Sequence, residues 1–138
     1  MRTEKLTARI LSSVSKLKPD TAIILGTGLG IIEEEISIDK AIDYNEIPRF
    51  ARSSVKGHTG RLLFGTLAGY PVIVMSGRFH LYEGYTAEEI TFPIRVFHMM
   101  GIKRLLISNA AGGLRQDLKP GSIMMITDHI NLTGSNPW

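Results

Sequence analysis

Cysteine is absent from the 138-residue sequence, which excludes disulfides, thiolate nucleophiles and cysteine-based zinc or iron–sulfur sites. Long apolar runs are absent too. Glu4, Lys5 and Arg9 interrupt the apolar positions of the N-terminus, so neither a membrane span nor a signal-peptide core is read, and a cytoplasmic protein without a membrane partner is expected. Charge of one sign is also missing. Ten basic and eight acidic residues precede residue 70, six and five follow it, and the net charge is +3. Basic residues spread this evenly form no continuous patch, so no nucleic-acid partner is expected. Fourteen glycines and six prolines without a period exclude collagen-like and low-complexity architectures. What remains is the composition of one globular domain over residues 1–138, with 43 % apolar and 21 % charged residues, long enough to bury a core without staples.

Leu6, Ile10, Val14 and Leu17 recur at spacings of four, four and three, which predicts an amphipathic N-terminal helix stopped by Lys18-Pro19-Asp20. Thr21 to Leu25 is short, apolar and ended by glycine, the pattern of a strand buried on both faces of a largely parallel sheet. The polar stretch from Glu33 to Arg61 reads as irregular, with Glu33-Glu34-Glu35 as a solvated face. Leu62 to Leu67 and Pro71 to Ser76 read as strands around the turn Ala68-Gly69-Tyr70. Thr86-Ala87-Glu88-Glu89 is a capping box opening a helix that ends at Gly101 and is kinked or delayed by Pro93. Arg104 to Ser108 and Ile123 to Ile126 read as two more strands. The strand–helix–strand unit over 71–108 makes the fold class α/β, a mixed, largely parallel sheet flanked by helices. The sequence stops in the loop-like Gly134-Ser135-Asn136-Pro137-Trp138 without a closing helix, so the domain is expected to be incomplete at its C-terminus.

Ligands of open parallel sheets bind beyond the carboxyl ends of the strands. The first strand delivers Gly26-Thr27-Gly28-Leu29-Gly30, either a tight turn or an anion cradle of backbone N–H groups with the Thr27 hydroxyl as a further donor. It matches neither a dinucleotide fingerprint nor a P-loop. The stretch Ser76 to Tyr85 is the most informative. An extended backbone there turns Arg78, His80 and Tyr82 to one side and Phe79 and Leu81 to the core. A guanidinium, an imidazole and a phenol on one face can grip phosphate and sugar oxygens; the alternative is a solvated strand end with Glu83 pairing Arg78. Asn109-Ala110-Ala111-Gly112-Gly113 offers small residues, either for close backbone contact with a ligand or as a compact turn. His58, between Gly57 and Thr59-Gly60, reads as an exposed loop residue and His98 as a structural helix residue. His80, Glu83 and His129 lack metal-ligand spacing, so no metal is expected.

Together ILGTGLG (24–30), DYNEIPRF (43–50), GHTGRLLFG (57–65), SGRFHLYEGY (76–85), TFPIRVFHMMGI (91–102), SNAAGGL (108–114) and DHINL (128–132) resemble the trimeric class of purine nucleoside phosphorylases over nearly the whole chain. The resemblance implies reversible phosphorolysis of purine nucleosides to free base and ribose 1-phosphate, with inorganic phosphate as co-substrate, no cofactor, and a homotrimer. It implies phosphate binding by Thr27, His58, Arg78, His80 and the N–H of Ala110, catalytic roles for His80 and Tyr82, and substrate contacts from Tyr82, Asn109, Ala110, Ala111 and Gly112. Thr27 stands where the family usually has serine, which keeps the hydroxyl. Family members continue for about as long again, and that other half supplies the purine-binding residues. The chain is therefore expected to be an N-terminal half, inactive alone. Methylthioadenosine phosphorolysis and a noncatalytic phosphate- or nucleotide-binding remnant are the alternatives.

Overall fold

The computed structural model describes residues 2–26, 28–51 and 60–137. Apolar alternation organises its centre. In β3 (Arg61–Leu67) and β4 (Tyr70–Ser76), Leu62, Phe64, Ile73 and Met75 face one side of the sheet, while Leu63, Val72 and Val74 face the other. All seven are buried, each worth roughly 1.5–3 kcal/mol of transfer free energy. The two strands form an antiparallel hairpin in which Leu67 pairs with Tyr70. Its two-residue loop puts Ala68 at φ 49° and Gly69 at φ 84°. Positive φ at both central positions gives the twist that a tight hairpin requires.

β1 (Thr21–Ile24) lies parallel to β4 on one side and to β5 (Arg104–Ile107) on the other. β2 (Ser37–Asp43) runs antiparallel to β3, and the sheet order is β2-β3-β4-β1-β5. The sheet is thus mixed, with parallel pairing concentrated around β1. Helices α1 (Arg2–Ser12) and α2 (Ala87–Met99) pack together over the face carrying Ala22, Ile24, Leu62, Phe64, Ile73 and Met75. No helix among the described residues is long and apolar enough to cross a membrane.

Thr86 caps α2 as its sequence predicts: its hydroxyl accepts from Glu89 N–H at 3.2 Å, and its own N–H donates to Glu89 Oε2 at 2.8 Å. The helix is continuous through Pro93, which is neither a delayed start nor an end. Thr91 Oγ1 donates to the Ala87 carbonyl at 2.7 Å and Arg95 Nη2 to the Glu88 carbonyl at 2.7 Å. The carbonyl that loses its donor to Pro93 is that of Glu89; these side chains bond the two carbonyls before it.

Four expectations are corrected. The stretch from Glu33 to Arg61 contains β2, an edge strand whose Asp39, Lys40 and Asp43 disguise it. It also contains the buried Ile36, Tyr44, Ile47, Phe50 and Ala51. The N-terminal helix stops at Ser12 and buries Thr7, Ala8 and Leu11, leaving Leu6 and Ile10 exposed. Thr7 Oγ1 bonded to the Pro48 carbonyl and Glu4 paired with Arg95 select that face. Ile123 to Ile126 forms no strand; it has no ladder partner among the described residues and is exposed. His98 is exposed on α2 rather than structural.

Candidate functional site

The parallel registers place Ile24 opposite both Met75 and Ile107. The chain leaving β1, β4 and β5 therefore emerges at one edge of the sheet, carrying Gly26, Gly77 to Glu83, and Ser108 onward. Their convergence has a hub in Ser108. Its hydroxyl accepts from Gly26 N–H at 2.8 Å, its N–H donates to the Ile24 carbonyl at 3.2 Å, and its own carbonyl accepts from Arg78 Nη1 at 2.9 Å. A side chain on residue 26 would collide with that Ser108 carbonyl, so glycine is required for the close approach. The Gly26 N–H is accordingly spent on Ser108, and the Leu29 N–H on the Gly26 carbonyl at 3.2 Å. The first residue of the glycine loop is thus locked to the end of β5.

Arg78 reaches in two directions. Besides the Ser108 carbonyl, its Nε–H donates to His80 Nε2 at 3.1 Å, and His80 Nδ1 lies 2.6 Å from Glu83 Oε1. A ring nitrogen that accepts from a guanidinium carries no proton, which leaves the imidazole proton on Nδ1 facing the carboxylate. Glu83 Oε1 also accepts from the His80 backbone N–H at 3.0 Å, and its side chain is only 7 % exposed. The carboxylate thus fixes both the ring and the backbone of His80. Tyr82 lies outside this row and stacks on His80 with ring centroids 4.7 Å apart and planes 19° apart. Its ring is 81 % exposed, an open aromatic face beside the guanidinium.

Arg78, His80 and Tyr82 are therefore brought together. The expected alternation breaks after His80. Phe79 is buried, but Leu81 is exposed, because Leu81–Glu83 turns into a short 3-10 helix closed by Gly84 at φ 90°. Glu83 pairs with His80 rather than with Arg78. Asn109, Ala110, Ala111 and Gly112 continue directly from Ser108 and are exposed at the same strand end. Thr27 and His58 lie outside the described residues. Among the described residues no group of three His, Asp or Glu side chains is placed to hold a metal ion.

In the sequence Ser108 carries no role, and Glu83 only an alternative one as the partner of Arg78. Ser108 acts across 82 residues on Gly26 and across 30 on Arg78, which no local pattern reveals. Glu83 stands three residues after His80, a spacing that could have identified it as a partner once a turn was recognised there. Glu33, read as solvated, instead accepts from the Ser76 hydroxyl at the end of β4 and pairs with Arg61 at 3.4 Å. It ties the segment following the glycine loop to the strand that leads into Arg78.

Residues 20–138 match the family model described as the phosphorylase superfamily. The chain is 51 % identical over 128 residues to the purine nucleoside phosphorylase of Rattus norvegicus, covering 93 % of this chain and 44 % of that protein. It superposes on the purine nucleoside phosphorylase of Schistosoma mansoni in complex with acetate with a TM-score of 0.80 and 44 % identity, covering 86 % of this chain and 44 % of the other. A further purine nucleoside phosphorylase, solved in complex with ribose-1-phosphate, matches with a TM-score of 0.76 and 42 % identity, over 86 % of this chain and 43 % of the other. The chain spans less than half the length of these relatives. With the family model matching 119 consecutive residues of this α/β sheet, the chain belongs to the phosphorylase superfamily.

Proposed function

We propose that this chain supplies the phosphate-holding and sugar-facing part of an enzyme that carries out reversible phosphorolysis of purine nucleosides. The observation that carries this reading is the linked row of Ser108, Arg78, His80 and Glu83 where three parallel strands end. A guanidinium presents five N–H donors in a planar fork suited to phosphate, and two of them orient it on Ser108 and His80. Thr27, His58 and the N–H of Ala110 complete the proposed phosphate site. Tyr82, with Asn109, Ala111 and Gly112, forms the proposed side facing the sugar. The relative solved with ribose-1-phosphate and the schistosoma purine nucleoside phosphorylase solved with hypoxanthine support a reaction on phosphate and a purine nucleoside.

In the proposed reaction a phosphate oxygen bonds to the anomeric carbon as the bond to the purine nitrogen breaks. The electron pair leaves with the purine, which takes up a proton. Positive charge develops on the sugar, and an anion held beneath it stabilises that charge. Holding phosphate in line also replaces a bimolecular encounter with a near-attack geometry. Arg78 holds the anion, while His80, its ring fixed by Glu83, orients the Arg78 guanidinium through Nε2. Inorganic phosphate is a co-substrate in this reading and no cofactor takes part. The proposal includes a cytoplasmic homotrimer without nucleic-acid or membrane partners; the exposed Leu6 and Ile10 are consistent with association, which sedimentation at micromolar concentration tests.

Titration with inorganic phosphate and phosphate-dependent release of hypoxanthine from inosine test the reading. Saturable phosphate binding that Arg78→Ala weakens supports the clamp, and its absence overturns the clamp. Hypoxanthine release that requires phosphate supports the reaction. In the complete enzyme, a preference for methylthioadenosine over inosine would replace the substrate, and binding without turnover of either would replace catalysis by anion binding.

A further inference from the structure

Behind the strand ends lies an aromatic cluster. Tyr44 is 5.1 Å from Phe79 and 5.6 Å from Phe50, and Phe50 and Phe79 are 6.4 Å apart, all measured between ring centroids. Tyr44 is buried at 2 % exposure. A phenylalanine would fill the same volume, so the hydroxyl requires a reason of its own, since a buried polar atom is costly unless paired. It is paired: Tyr44 Oη donates to the Gly77 carbonyl at 2.7 Å. Burial, with Glu33 nearby, pushes its pKa well above the usual phenol range, so the group stays a donor across the physiological range.

The same residue holds a second strand. Its backbone N–H donates to the Gly60 carbonyl at 3.0 Å, and a Cβ on Gly60 would collide with the Tyr44 ring. Gly77 adopts φ 91°, and a Cβ there would lie 3.5 Å from Gly60 Cα. Tyr44 thus ties the residue before β3 to the residue after β4 at a junction where Gly60 has no room for a side chain and Gly77 is held at a positive φ that favours glycine. Gly77 is bonded directly to Arg78, so the orientation of the 77–78 peptide decides whether the guanidinium reaches Ser108 and His80.

We propose that Tyr44 is a positioning residue for the Arg78–His80 pair, its hydroxyl holding the Gly77 carbonyl so that the following segment is preset for anion binding. The proposal rests on reading that pair as the phosphate clamp. The test is Tyr44→Phe in the full chain, read in two ways. Amide hydrogen exchange over Arg78 to His80 should quicken about tenfold, as expected when one buried carbonyl loses its donor, while β1 and α2 remain unchanged. The dissociation constant for inorganic phosphate should rise by about the same factor. Gly60→Ala, which displaces the same ring, should reproduce both changes. Exchange that is unchanged, or that quickens equally in β1 and α2, would overturn the positioning role and leave Tyr44 a core residue only. If the unsubstituted chain binds no phosphate, the clamp reading fails, and the exchange pattern alone decides whether Tyr44 presets the segment.

Discussion

The sheet and the segment that follows it carry similar apolar patterns with opposite outcomes. In β3 and β4, Leu62 to Phe64 and Val72 to Met75 are all buried. From Asn109 to Asn136 every residue except the half-buried Leu118 is exposed, including Leu114, Ile123, Met125, Ile130 and Leu132. Ile123 to Ile126 is as apolar a run as Val72 to Met75; hydrogen-bonded neighbours separate the two. Each residue of β4 pairs with β3, and four also pair with β1, whereas β5 forms the edge of the sheet, with Leu106 at 56 % and Ile107 at 61 % exposure. The candidate site sits on the boundary: Arg78, His80 and Glu83 are held by the packed region, while Asn109 to Gly112 open onto the exposed one.

The sharpest way to break this contrast is in the packed region. Phe64 is buried at the centre of the cluster that α1 and α2 cover. Phe64→Ala should cost about 3–5 kcal/mol through lost transfer energy and the cavity left behind, measured as a shift of the urea midpoint. A loss under 1 kcal/mol would mean that the sheet is far less tightly packed than its burial implies.

Arg78→Ala probes the boundary. Its stabilising contacts are few, so the unfolding midpoint should move little, while phosphate affinity should fall by roughly 1.5–3 kcal/mol, the range for a hydrogen bond to a charged group. Calorimetric titration beside a denaturation curve separates the two effects. Equal losses in both would place Arg78 in the scaffold rather than in the clamp.

The Arg78–His80 pair was partly legible because its side chains obey period two. Arg78 and His80 alternate with the buried Phe79 on extended backbone, and only at Leu81 does the chain turn and the pattern fail. The capping box at Thr86 was legible for the same local reason. Ser108, Glu33 and Tyr44 were not, because each acts on residues more than 25 positions away, through contacts that tertiary packing creates. β2 was hidden by the charges that protect an edge strand. The face of α1 was misjudged because Pro48 and Arg95, distant in sequence, select Thr7 and Glu4 over Leu6 and Ile10.

Acid sharpens the comparison at the opposite end of the sheet. The Arg104 guanidinium, bonded to both Asp20 oxygens at 2.7 Å, holds that carboxyl below the usual range. A carboxylate with a depressed folded-state pKa adds stability above its unfolded value and loses it as pH falls through the folded one. Asp20→Asn should therefore be less stable than the unsubstituted chain at neutral pH, with the two converging on acidification. Both groups are open to solvent, so the difference should be small and should shrink further in high salt. A gap that persists below the carboxylate range would assign it to the lost hydrogen-bond geometry rather than to charge.

The smallest effect belongs to Ile123→Ala. Ile123 is fully exposed, so truncation removes almost no transfer energy and leaves no cavity, and the expected change is within about 0.5 kcal/mol of zero. Phe64→Ala removes only twice as many side-chain carbons, so a cost many times larger assigns the difference to burial in the sheet. The experiment also has a concentration axis. If the exposed apolar side chains of residues 109–136 gain cover in solution from a second copy of the chain, Ile123→Ala would become costly as protein concentration rises, because association stabilises by mass action. A midpoint independent of concentration and of this substitution would establish that Ile123 gains no cover in solution and contributes nothing to stability.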